Sequence, residues 1–527
     1  MPAPVRVSSH DRHPVPHTIA AVIESVLVAN RGEIALRVVR ACRELGVRSI
    51  AVFSDADEGA PHVLAADEAY LLGPAPASES YLRADRLLEI AQRSGAAAIH
   101  PGYGFLAERE PFARAVEEAG LTFVGPRSAT IAAMGDKTEA RRRMRAASVP
   151  IVPGVEHAIE TGAQGREIAA QIGYPVLLKA AAGGGGKGMR IVEDEGDLAG
   201  ALEAARREAT AAFGDGSVYV EKFLDRPRHV EIQVLGDGHG NVVHLGEREC
   251  SIQRRHQKLV EEAPSPVLTP ALRSSMGAAA VEAARAVDYV GAGTVEFLYQ
   301  DGDFFFLEMN TRLQVEHPVT ELVTGLDLVH WQLRIASGEA LDFTQDQVTF
   351  RGHAMECRIT SEAPLRGFLP STGRIEHLAV PTGPGVRWDG GITAGFEVGL
   401  HYDPLLGKLI VHAPDRASAL SRMAAALEEL DIIGVDTSTP LHRRIMDEPD
   451  FRAGDLTIRY LEEHPGLLDD SAPSESRRVA AVAAALLADE HRRREAPARL
   501  VSDEHAGLSA WRAPSWNRGT EPGGTGW

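Results

Sequence analysis

The sequence predicts a protein of mixed α/β and α+β class, with a doubly wound N-terminal domain, a central α+β block and a β-rich C-terminal region. From Ser25 onward, short β-branched runs alternate with amphipathic stretches, which is the pattern of βαβ units. Farther along, pairs of strand-like runs are separated by glycine-rich turns, which is typical of antiparallel strands. The 527 residues are enough for about three or four domains of ordinary size.

Composition excludes several classes of protein. The chain has 55 Lys and Arg against 74 Asp and Glu, and its charge of −19 argues against a nucleic-acid-binding surface, which needs clustered cations. No uncharged apolar run approaches the roughly 18 residues of a membrane span. The 3 cysteines are far apart in the sequence, so they form neither a disulfide framework nor a metal site. We therefore expect a soluble protein of the reducing cytoplasm that contacts neither nucleic acid nor membrane.

The first predicted domain covers residues 25–135. The loops 30–33 and 100–104 directly follow predicted strands, and ligands of open α/β sheets bind at such carboxyl ends. Each loop fits a tight turn without a ligand equally well. Residues 1–24 are rich in Pro and His and lack the apolar core of a signal peptide, so we expect a flexible extension there.

The central region covers residues 136–350 and contains a run of glycines. An arginine-rich helix follows Lys137, and a strand predicted over 175–180 leads into the glycines of 182–188. Glycines let backbone amides approach a phosphate, and Lys187 adds positive charge. The next residue is glycine rather than the Ser or Thr of a Walker A loop. The run therefore fits a hairpin that closes over nucleotide phosphates, and on its own it fits a mobile linker equally well.

A more specific pattern lies at 308–316, where polar or charged residues alternate with apolar ones. In an extended strand this alternation places its polar side chains on one face. Asp301-Gly302-Asp303 predicts a turn, and a hairpin centred on Gly302 sets Glu296 opposite Glu308, where like charges repel. A Mg²⁺ ion shared with nucleotide phosphates would remove that repulsion. The alternative is a solvated sheet face, although its charges are mixed rather than the usual Lys and Thr.

The third region, residues 351–465, is predicted to be β-rich because it contains many Gly and Pro residues between short apolar runs. Helices are predicted over 417–429 and 441–446, near its end. Residues 466–527 then form a tail that begins as an Ala- and Arg-rich helix and ends rich in Gly, Pro and Trp. We expect this tail to be partly disordered.

Eight short motifs follow one another along residues 25 to 463, at 29–35, 100–106, 134–137, 182–188, 227–233, 253–258, 308–321 and 353–359. Taken in this order, they resemble the biotin carboxylase family of ATP-grasp enzymes. The resemblance implies a Rossmann-like N-terminal domain and a central ATP-grasp domain whose glycine-rich lid spans about 151–225 and closes over the nucleotide. It also implies that region 351–465 is the family's C-terminal domain.

The resemblance implies a role for individual residues. Those that would contact the phosphates are Lys137, Lys179, Gly185 and Gly186. Further nucleotide contacts would come from Glu221, Lys222, Phe223, Leu224, His229, Gln253 and His256, and from the metal-binding Glu296 and Glu308. The metal set would be Glu296, Glu308 and Asn310. Bicarbonate or biotin would contact Lys258, Arg312, Gln314, the Val315 backbone, Glu316 and Arg358.

The family's chemistry makes these implied roles specific. ATP would phosphorylate bicarbonate to carboxyphosphate, with Glu316 taking the bicarbonate proton while Lys258 and Arg312 orient the anion. Arg358 would stabilise the negative charge that biotin acquires when its ureido nitrogen loses a proton. The cofactors implied are ATP and Mg²⁺ or Mn²⁺. The partners implied are a second copy of this chain, a biotin carboxyl carrier protein and a carboxyltransferase subunit, in the first half-reaction of an acyl-CoA carboxylase.

The chain departs from the family pattern in two respects. Ala363 replaces an acidic residue close in sequence to Arg358. No Lys-Met or Met-Lys pair is present and no lysine follows Lys408, so biotin is expected on another polypeptide unless the chain is a fragment. Two alternatives follow: an ATP-grasp ligase with another acceptor, and an inactive or regulatory paralogue.

Lysine usage supports the resemblance. Of the 55 cationic residues only six are lysines, and all lie within the part of the chain that the resemblance covers: Lys137, Lys179, Lys187, Lys222, Lys258 and Lys408. An ammonium is a compact, strongly hydrated charge that the planar guanidinium of arginine does not replace. The resemblance leaves Lys408 without an assigned role.

Overall fold

A computed structural model describes residues 5–6, 23–155, 158–180, 189–213, 215–470, 479 and 482–487. The chain divides into one compact unit, residues 1–469, and a second unit, residues 470–527, in which a helical stretch covers 482–487. Most of the predicted N-terminal extension, the glycine loop at 182–188 and the end of the tail lie outside the described residues. Among the described helices, none is both long enough and apolar enough to cross a membrane.

The N-terminal region forms a six-stranded sheet in the order β1-β4-β3-β2-β5-β6. All neighbours are parallel except β1, which is antiparallel to β4. The strands are β1 Val5–Arg6, β2 Ser25–Val28, β3 Arg48–Ser54, β4 Glu68–Gly73, β5 Ala98–His100 and β6 Thr122–Phe123. The helices are α1 Gly32–Glu44, α2 Pro61–Ala65, α3 Ala84–Ser94, α4 Glu110–Glu118 and α5 Ser128–Gly135. The predicted doubly wound domain is confirmed.

Helices cover both faces of this sheet. Val26 and Val28 of β2 pack in one apolar cluster with Ile34 of α1, whereas Leu27 packs in another with Leu87 of α3. A strand buried on both faces needs apolar residues at nearly every position, and all four residues of β2 are buried. This is why the uninterrupted apolar runs predicted parallel strands.

The predicted lid region contains a small subdomain with its own core. Its three antiparallel strands lie in the order β8-β7-β9. Leu178 and Val220 of this sheet pack with Leu198 and Leu202 of a flanking helix. The elements from the start of the central region are α6 Lys137–Ala146, α7 Gly162–Ile172, β7 Val176–Ala180, β8 Met189–Val192, α8 Glu195–Phe213 and β9 Val218–Lys222.

The remaining central elements lead into a large antiparallel sheet. Its strands from this region are β10 Arg228–Gly236, β11 Val242–Arg254, β12 Gln257–Ala263, β13 Gly291–Gln300 and β14 Asp303–Asn310. The accompanying helices are α9 Pro270–Arg285, α10 His317–Thr324 and α11 Leu328–Ala336. Helix α9 packs on one face of the sheet, where Met276 and Ala280 meet Ile232.

The C-terminal region continues the same sheet. Its strands are β15 His353–Thr360, β16 Glu362–Ala363, β17 Leu369–Pro370, β18 Gly373–Arg374, β19 His377–Ala379, β20 Val386–Gly390, β21 Glu397–Val398, β22 Leu405–Ala413 and β23 Asp431–Ile433. Its helices are α12 Arg416–Glu429, α13 Thr439–Asp447, α14 Pro449–Ala453 and α15 Tyr460–Glu463. The eight-stranded order is β14-β13-β10-β11-β12-β15-β22-β20. The sheet is therefore continuous across the predicted boundary at 350.

Candidate active site

Charged residues on neighbouring strands of the large sheet form the centre of the site. Glu231 of β10 pairs in register with Glu296 of β13 on one side and with Arg248 of β11 on the other. Lys258 lies on β12, the strand beyond β11. The Glu231 and Arg248 side chains are fully buried, and that of Lys258 is 10% exposed. Because charges removed from water are stable only when paired, their contacts define the site.

Lys258 contacts three carboxylates. Its Nζ lies 2.5 Å from Glu231 Oε2, 2.6 Å from Glu316 Oε1 and 3.1 Å from Glu296 Oε1. Burial alone would lower the pKa of Lys258, but these three carboxylates raise it well above its usual value. Lys258 is therefore a permanent cation that can exchange a carboxylate for a bound anion.

Glu316 is held between two cations. Its Oε1 accepts a hydrogen bond from Lys258, and its Oε2 accepts one from Arg358 Nη2 at 2.9 Å. Burial alone would raise the pKa of Glu316, but the attraction of Lys258, Arg358 and Arg248 holds it well below its usual value. Glu316 is therefore ionised at neutral pH, which a proton acceptor requires.

A second carboxylate orients Arg358. Arg358 Nε donates to Glu261 Oε1 at 2.6 Å, so Glu261 and Glu316 hold the guanidinium between them. Burial acts to lower the pKa of Arg358, but these two carboxylates raise it. The Arg358 side chain is still 17% exposed, so an anionic ligand can reach this fixed positive charge.

Arg248 anchors the residues around Lys258. Its guanidinium is fully buried and donates to Glu231, Gln233, Thr294, Gln314 and Thr320 at 2.6–3.0 Å. Gln314 in turn donates from Nε2 to Glu296 Oε1 at 2.8 Å. The loop that precedes Glu316 is thereby fixed to the sheet.

The stretch predicted as one extended strand is a strand followed by a loop. Strand β14 ends at Asn310, and residues 311–316 lead into α10, so the prediction of an extended chain through Glu316 is wrong. The cause lies downstream, since α10 starts at His317 with a proline in its first turn and the chain must leave the sheet to begin it.

Side-chain contacts nevertheless keep the 308–316 stretch together. Arg312 Nη2 donates to Asn310 Oδ1 at 3.1 Å, and its Nε donates to Glu108 Oε2 of the N-terminal region at 2.8 Å. Asn310 Nδ2 donates to Glu296 Oε1 at 2.8 Å. Arg312 thus lies where the N-terminal region meets the carboxylate cluster.

The two carboxylates predicted to face each other do so. Glu296 and Glu308 are direct cross-strand partners on β13 and β14, with Glu296 buried and Glu308 exposed. Glu296 Oε2 also lies 2.9 Å from His229 Nε2. Burial alone would raise the pKa of Glu296, but Lys258 and His229 lower it, so Glu296 is a carboxylate. Together with Asn310, the two glutamates Glu296 and Glu308 offer the oxygen ligands that Mg²⁺ prefers.

The predicted centre of this hairpin is wrong, although the predicted pair is right. Gln300 pairs with Asp303, so the turn is the two residues Asp301-Gly302. Both have positive φ, 53° and 96°, as a tight two-residue turn requires. The extra residue Leu307 then shifts the register by one, and this bulge restores the pairing expected for the two glutamates.

The predicted nucleotide contacts are divided between the lid sheet and the large sheet. Lys179 Nζ lies 2.5 Å from Glu221 Oε2, and Arg141 pairs with the same carboxylate. Lys222 Nζ donates to the carbonyl oxygens of Gly173 and Tyr174 at 2.9 and 3.1 Å. Phe223 and Leu224 follow β9 and are half-buried. Gln253 of β11 is the cross-strand partner of Lys258 on β12, and His256 lies in the turn between these two strands. The Lys137 side chain, Gly185 and Gly186 lie outside the described residues.

Comparison with known families decides the identity of this fold. Residues 22–131 match the family model for "Biotin carboxylase, N-terminal domain", and residues 356–463 match that for "Biotin carboxylase C-terminal domain". Residues 136–344 match "Carbamoyl-phosphate synthase L chain, ATP binding domain". The chain belongs to the biotin carboxylase family.

Similar proteins agree with this membership. The Haemophilus influenzae "Biotin carboxylase" is 51% identical over 447 residues, which are 85% of this chain and all of that protein. The "Biotin carboxylase" of Allochromatium vinosum is 52% identical over 450 residues, again 85% of this chain and all of that protein. The Hydrogenobacter thermophilus 2-oxoglutarate carboxylase biotin carboxylase domain, a dimer in complex with MgADP, ADP and bicarbonate, has a TM-score of 0.77 and 51% identity, covering 85% and 99% of the two chains.

The sequence analysis assigned no role to several residues that build the biotin carboxylase site. Glu231, Arg248 and Glu261 are fully buried and contact Lys258, Glu316 or Arg358 directly or through one residue. The sequence did contain one signal for them, since they are charged residues within otherwise apolar strands. Such residues are rarely buried without a partner of opposite charge. The departure at Ala363 lies in β16, whereas the described side-chain partners of Arg358 are Glu261 and Glu316.

Glu356 is a second carboxyl group beside this cluster. It lies opposite Glu261 on β15, is fully buried, and neither of its oxygens has a hydrogen-bond partner among the described residues. Burial raises the pKa of Glu356 well above its usual value, and the negative charges of Glu261 and Glu316 raise it further. The cations Lys408 and Arg358 act in the opposite direction but do not cancel this shift. Glu356 is therefore a neutral acid at pH 7.

Glu356→Gln is expected to change how stability depends on pH. The folded protein keeps the Glu356 proton that the unfolded chain loses near pH 4–5, so wild-type stability falls as pH rises above that value. Glutamine has no proton to lose. Between pH 5.5 and 7.5 the free energy of unfolding of the variant, relative to that of the wild type, should rise by up to about 1.4 kcal/mol per pH unit. Urea unfolding at several pH values measures this difference.

Glu321→Gln is the matched control for that measurement. Glu321 is buried on α10 and pairs with Arg37 and Arg387; burial alone would raise its pKa, but these arginines lower it. It is ionised in both states above pH 5.5 and its arginine partners do not titrate there, so its substitution should cost the same free energy throughout the range. Parallel pH curves for wild type and Glu356→Gln would contradict the neutral state of Glu356.

Proposed function

We propose that this chain catalyses the ATP- and Mg²⁺-dependent carboxylation of biotin on a carrier protein, using bicarbonate. One observation carries the proposal. The Glu316 carboxylate is fixed between an ammonium, Lys258, and a guanidinium, Arg358, so a base lies between two sites for anions. The dimeric Hydrogenobacter domain, 51% identical to this chain, holds MgADP and bicarbonate, which supports the same ligands here.

The first step is formation of carboxyphosphate. Bicarbonate binds Lys258 and Arg312, together with Gln314 and the Val315 backbone. It takes the place of one or more of the carboxylates that contact Lys258. Glu316 accepts the bicarbonate proton as the bicarbonate oxygen attacks the γ-phosphorus of ATP and ADP leaves. Holding both reactants in line lowers the barrier to this transfer.

The second step transfers the carboxyl group to biotin. Carboxyphosphate breaks down to carbon dioxide and phosphate. The released phosphate accepts the proton of the biotin ureido nitrogen, and that nitrogen then attacks the carbon dioxide. Negative charge develops on the ureido oxygen. Arg358 is fixed by Glu261 and partly exposed, so its guanidinium can stabilise that charge without first reorganising.

Glu296, Glu308 and Asn310 would hold the divalent cation. The cation supplies charge neutralisation for the ATP phosphates. Two facing carboxylates with an amide oxygen fit Mg²⁺ or Mn²⁺ rather than a soft metal. The nucleotide itself would contact the phosphate and adenine residues implied by the family: Lys137, Lys179, Gly185, Gly186, Glu221, Lys222, Phe223, Leu224, His229, Gln253 and His256.

Glu308→Gln is expected to raise the Mg²⁺ concentration needed for half-maximal activity at least tenfold. Loss of residues that only support a ligand costs about 10–100-fold in metal affinity, so loss of a ligand should cost at least as much. The measurement is a Mg²⁺ titration of ATP hydrolysis at saturating nucleotide. Asp303→Asn, an exposed change on the same hairpin, should leave the titration unchanged. An unchanged titration in Glu308→Gln would contradict the metal assignment.

The partners follow from where biotin is carried. We propose that a biotin carboxyl carrier protein brings biotin to this chain and that a carboxyltransferase subunit uses the product. A homodimer is supported by the dimeric Hydrogenobacter domain. The three cysteines are free and buried, which is compatible with the cytoplasm.

The domain division is also a proposal. It assigns residues 25–135 to the N-terminal domain, 136–350 to the ATP-grasp domain with its lid at about 151–225, and 351–465 to the C-terminal domain. The matched family ranges support it. The continuous eight-stranded sheet indicates that the last two domains fold as one body.

Bicarbonate-dependent ATP hydrolysis, measured with and without free biotin, tests the proposed function. Biotin should stimulate hydrolysis, because it consumes the carbon dioxide released beside it. Hydrolysis that biotin does not stimulate would indicate a ligase with another acceptor. Absence of hydrolysis under every condition would indicate an inactive or regulatory paralogue.

A further inference from the structure

Lys408 is a lysine to which the proposed mechanism gives no task. It lies on β22, in register with Arg358 of β15 on one side and with Asp389 of β20 on the other. Residues in register on neighbouring strands point to the same face of a sheet. Lys408 therefore shares the face of the large sheet on which Arg358 and Glu316 meet.

The Lys408 ammonium joins three parts of the protein. Its side chain is fully buried, and Nζ donates to the Val315 carbonyl oxygen at 2.8 Å. It also lies 3.0 Å from Oε1 of Glu33, in the first turn of α1, and 4.0 Å from Asp389 Oδ2. Glu33 in turn accepts a hydrogen bond from the Tyr103 hydroxyl.

The surroundings keep Lys408 charged. Burial alone would lower the pKa of Lys408, but the carboxylates of Glu33 and Asp389 raise it against the opposing charge of Arg387. A buried ammonium is costly unless its N–H groups find acceptors, and here a carbonyl oxygen and a carboxylate accept two of them. The contact with Val315 is therefore a charge-assisted hydrogen bond, which is stronger than a neutral one.

The peptide that Lys408 holds is the one that joins Val315 to Glu316. Glu316 is the N-cap of α10 but makes no side-chain capping bond, so its side chain is free to face Lys258. Gln314, the residue before Val315, is fixed by Arg248 and by a contact of 2.7 Å between its carbonyl oxygen and His317 Nδ1. Lys408 supplies the restraint on the last peptide before the base.

We propose that Lys408 is a positioning residue that fixes the Val315–Glu316 peptide and so places the Glu316 carboxylate for proton transfer from bicarbonate. The inference rests on the proposed function of Glu316. It also explains the use of lysine at this position in a chain that otherwise uses arginine. A compact ammonium fits between Val315, Glu33 and Asp389, whereas a planar guanidinium needs more space in a fully buried site.

Lys408→Met tests the inference. Displacement of a reacting group by about 1 Å can cost on the order of 10²-fold in rate, so we expect kcat to fall about 10- to 100-fold. The KM for bicarbonate should rise severalfold, whereas the KM for MgATP should stay within about twofold because no nucleotide residue among those described contacts Lys408. Bicarbonate-dependent ATP hydrolysis measures all three quantities.

A second variant protects the test against misfolding. Lys408→Met leaves Glu33 buried without its cation, so the double variant Glu33→Gln, Lys408→Met removes both charges together. It should fold and show the same bicarbonate defect. Glu33→Gln alone keeps the hydrogen bond to Val315 and should keep the wild-type bicarbonate KM. Lys408→Arg keeps the charge and should not restore that KM.

Arg416→Met is the matched control. This substitution breaks the ion pair between Arg416 and Glu262, a buried residue of the same sheet. The pair does not contact residues 311–316, so the variant should be less stable but should keep both KM values. A wild-type bicarbonate KM in any folded Lys408 variant would overturn the inference. Absence of bicarbonate-dependent hydrolysis in the wild type would instead overturn the proposed function, so the two failures are distinguishable.

Discussion

Glu316→Gln is expected to lower bicarbonate-dependent ATP hydrolysis by about 10²- to 10⁴-fold, the usual contribution of a general base. Glutamine keeps the shape of the side chain but cannot accept a proton. Lys258 keeps Glu231 and Glu296 as partners, and Arg358 keeps Glu261, so no buried cation is left unpaired. The variant should therefore fold and bind ADP as the wild type does, and steady-state hydrolysis with ADP titration measures both properties.

Glu247→Gln is the control for this loss. Glu247 is buried on β11 of the same sheet and pairs with Arg273, away from Lys258. Its substitution should lower stability without changing turnover by more than a few fold. Glu316→Gln with near-wild-type turnover would show that another group accepts the bicarbonate proton.

Arg358→Ala is expected to lower biotin carboxylation by about 10²- to 10³-fold, the cost of removing one group that stabilises a developing oxyanion. ATP binding should change little, because the described partners of Arg358 are Glu261 and Glu316 rather than nucleotide residues. Parallel assays of carboxybiotin formation and of ATP binding measure the two effects. Equal losses in both assays would contradict the assigned role.

Stability complicates this test unless the carboxylate that orients Arg358 is also changed. Removing one partner of a buried ion pair costs about 3–5 kcal/mol, because the remaining charge is left without compensation. Glu261 is fully buried, so Arg358→Ala alone would leave it in that state. The double variant Glu261→Gln, Arg358→Ala removes both charges. It should recover stability and still fail to carboxylate biotin.

The features that the sequence predicted correctly are local ones. Uninterrupted apolar runs such as 26–29 indicated parallel strands covered on both faces, and the structure has them. The Glu296–Glu308 pair could be predicted because a hairpin joins residues close in sequence. The turn at Asp301-Gly302 was also indicated by the sequence, because Asp-Gly is a strong signal for a tight hairpin turn. The bulge could not be predicted, since the extra residue Leu307 leaves no distinct mark in the sequence, and the exact centre of the hairpin was missed with it.

The features that the sequence did not predict depend on contacts between distant segments. Glu261 and Glu356 face each other because β12 pairs with β15, and nothing in their spacing gives the register of two strands so far apart in the chain. The same holds for Lys408 and Val315, which meet because α10 and its preceding loop pack on the sheet. Lysine rarity drew attention to Lys408, but its role required the structure.

Transfer of label from bicarbonate to biotin tests the central claim most directly. The purified chain, incubated with radiolabelled bicarbonate, MgATP and either free biotin or a biotinylated carrier protein, should form acid-labile carboxybiotin. Glu316→Gln should form almost none in the same assay. Wild-type protein that binds ATP but yields no labelled biotin on either acceptor would contradict the claim.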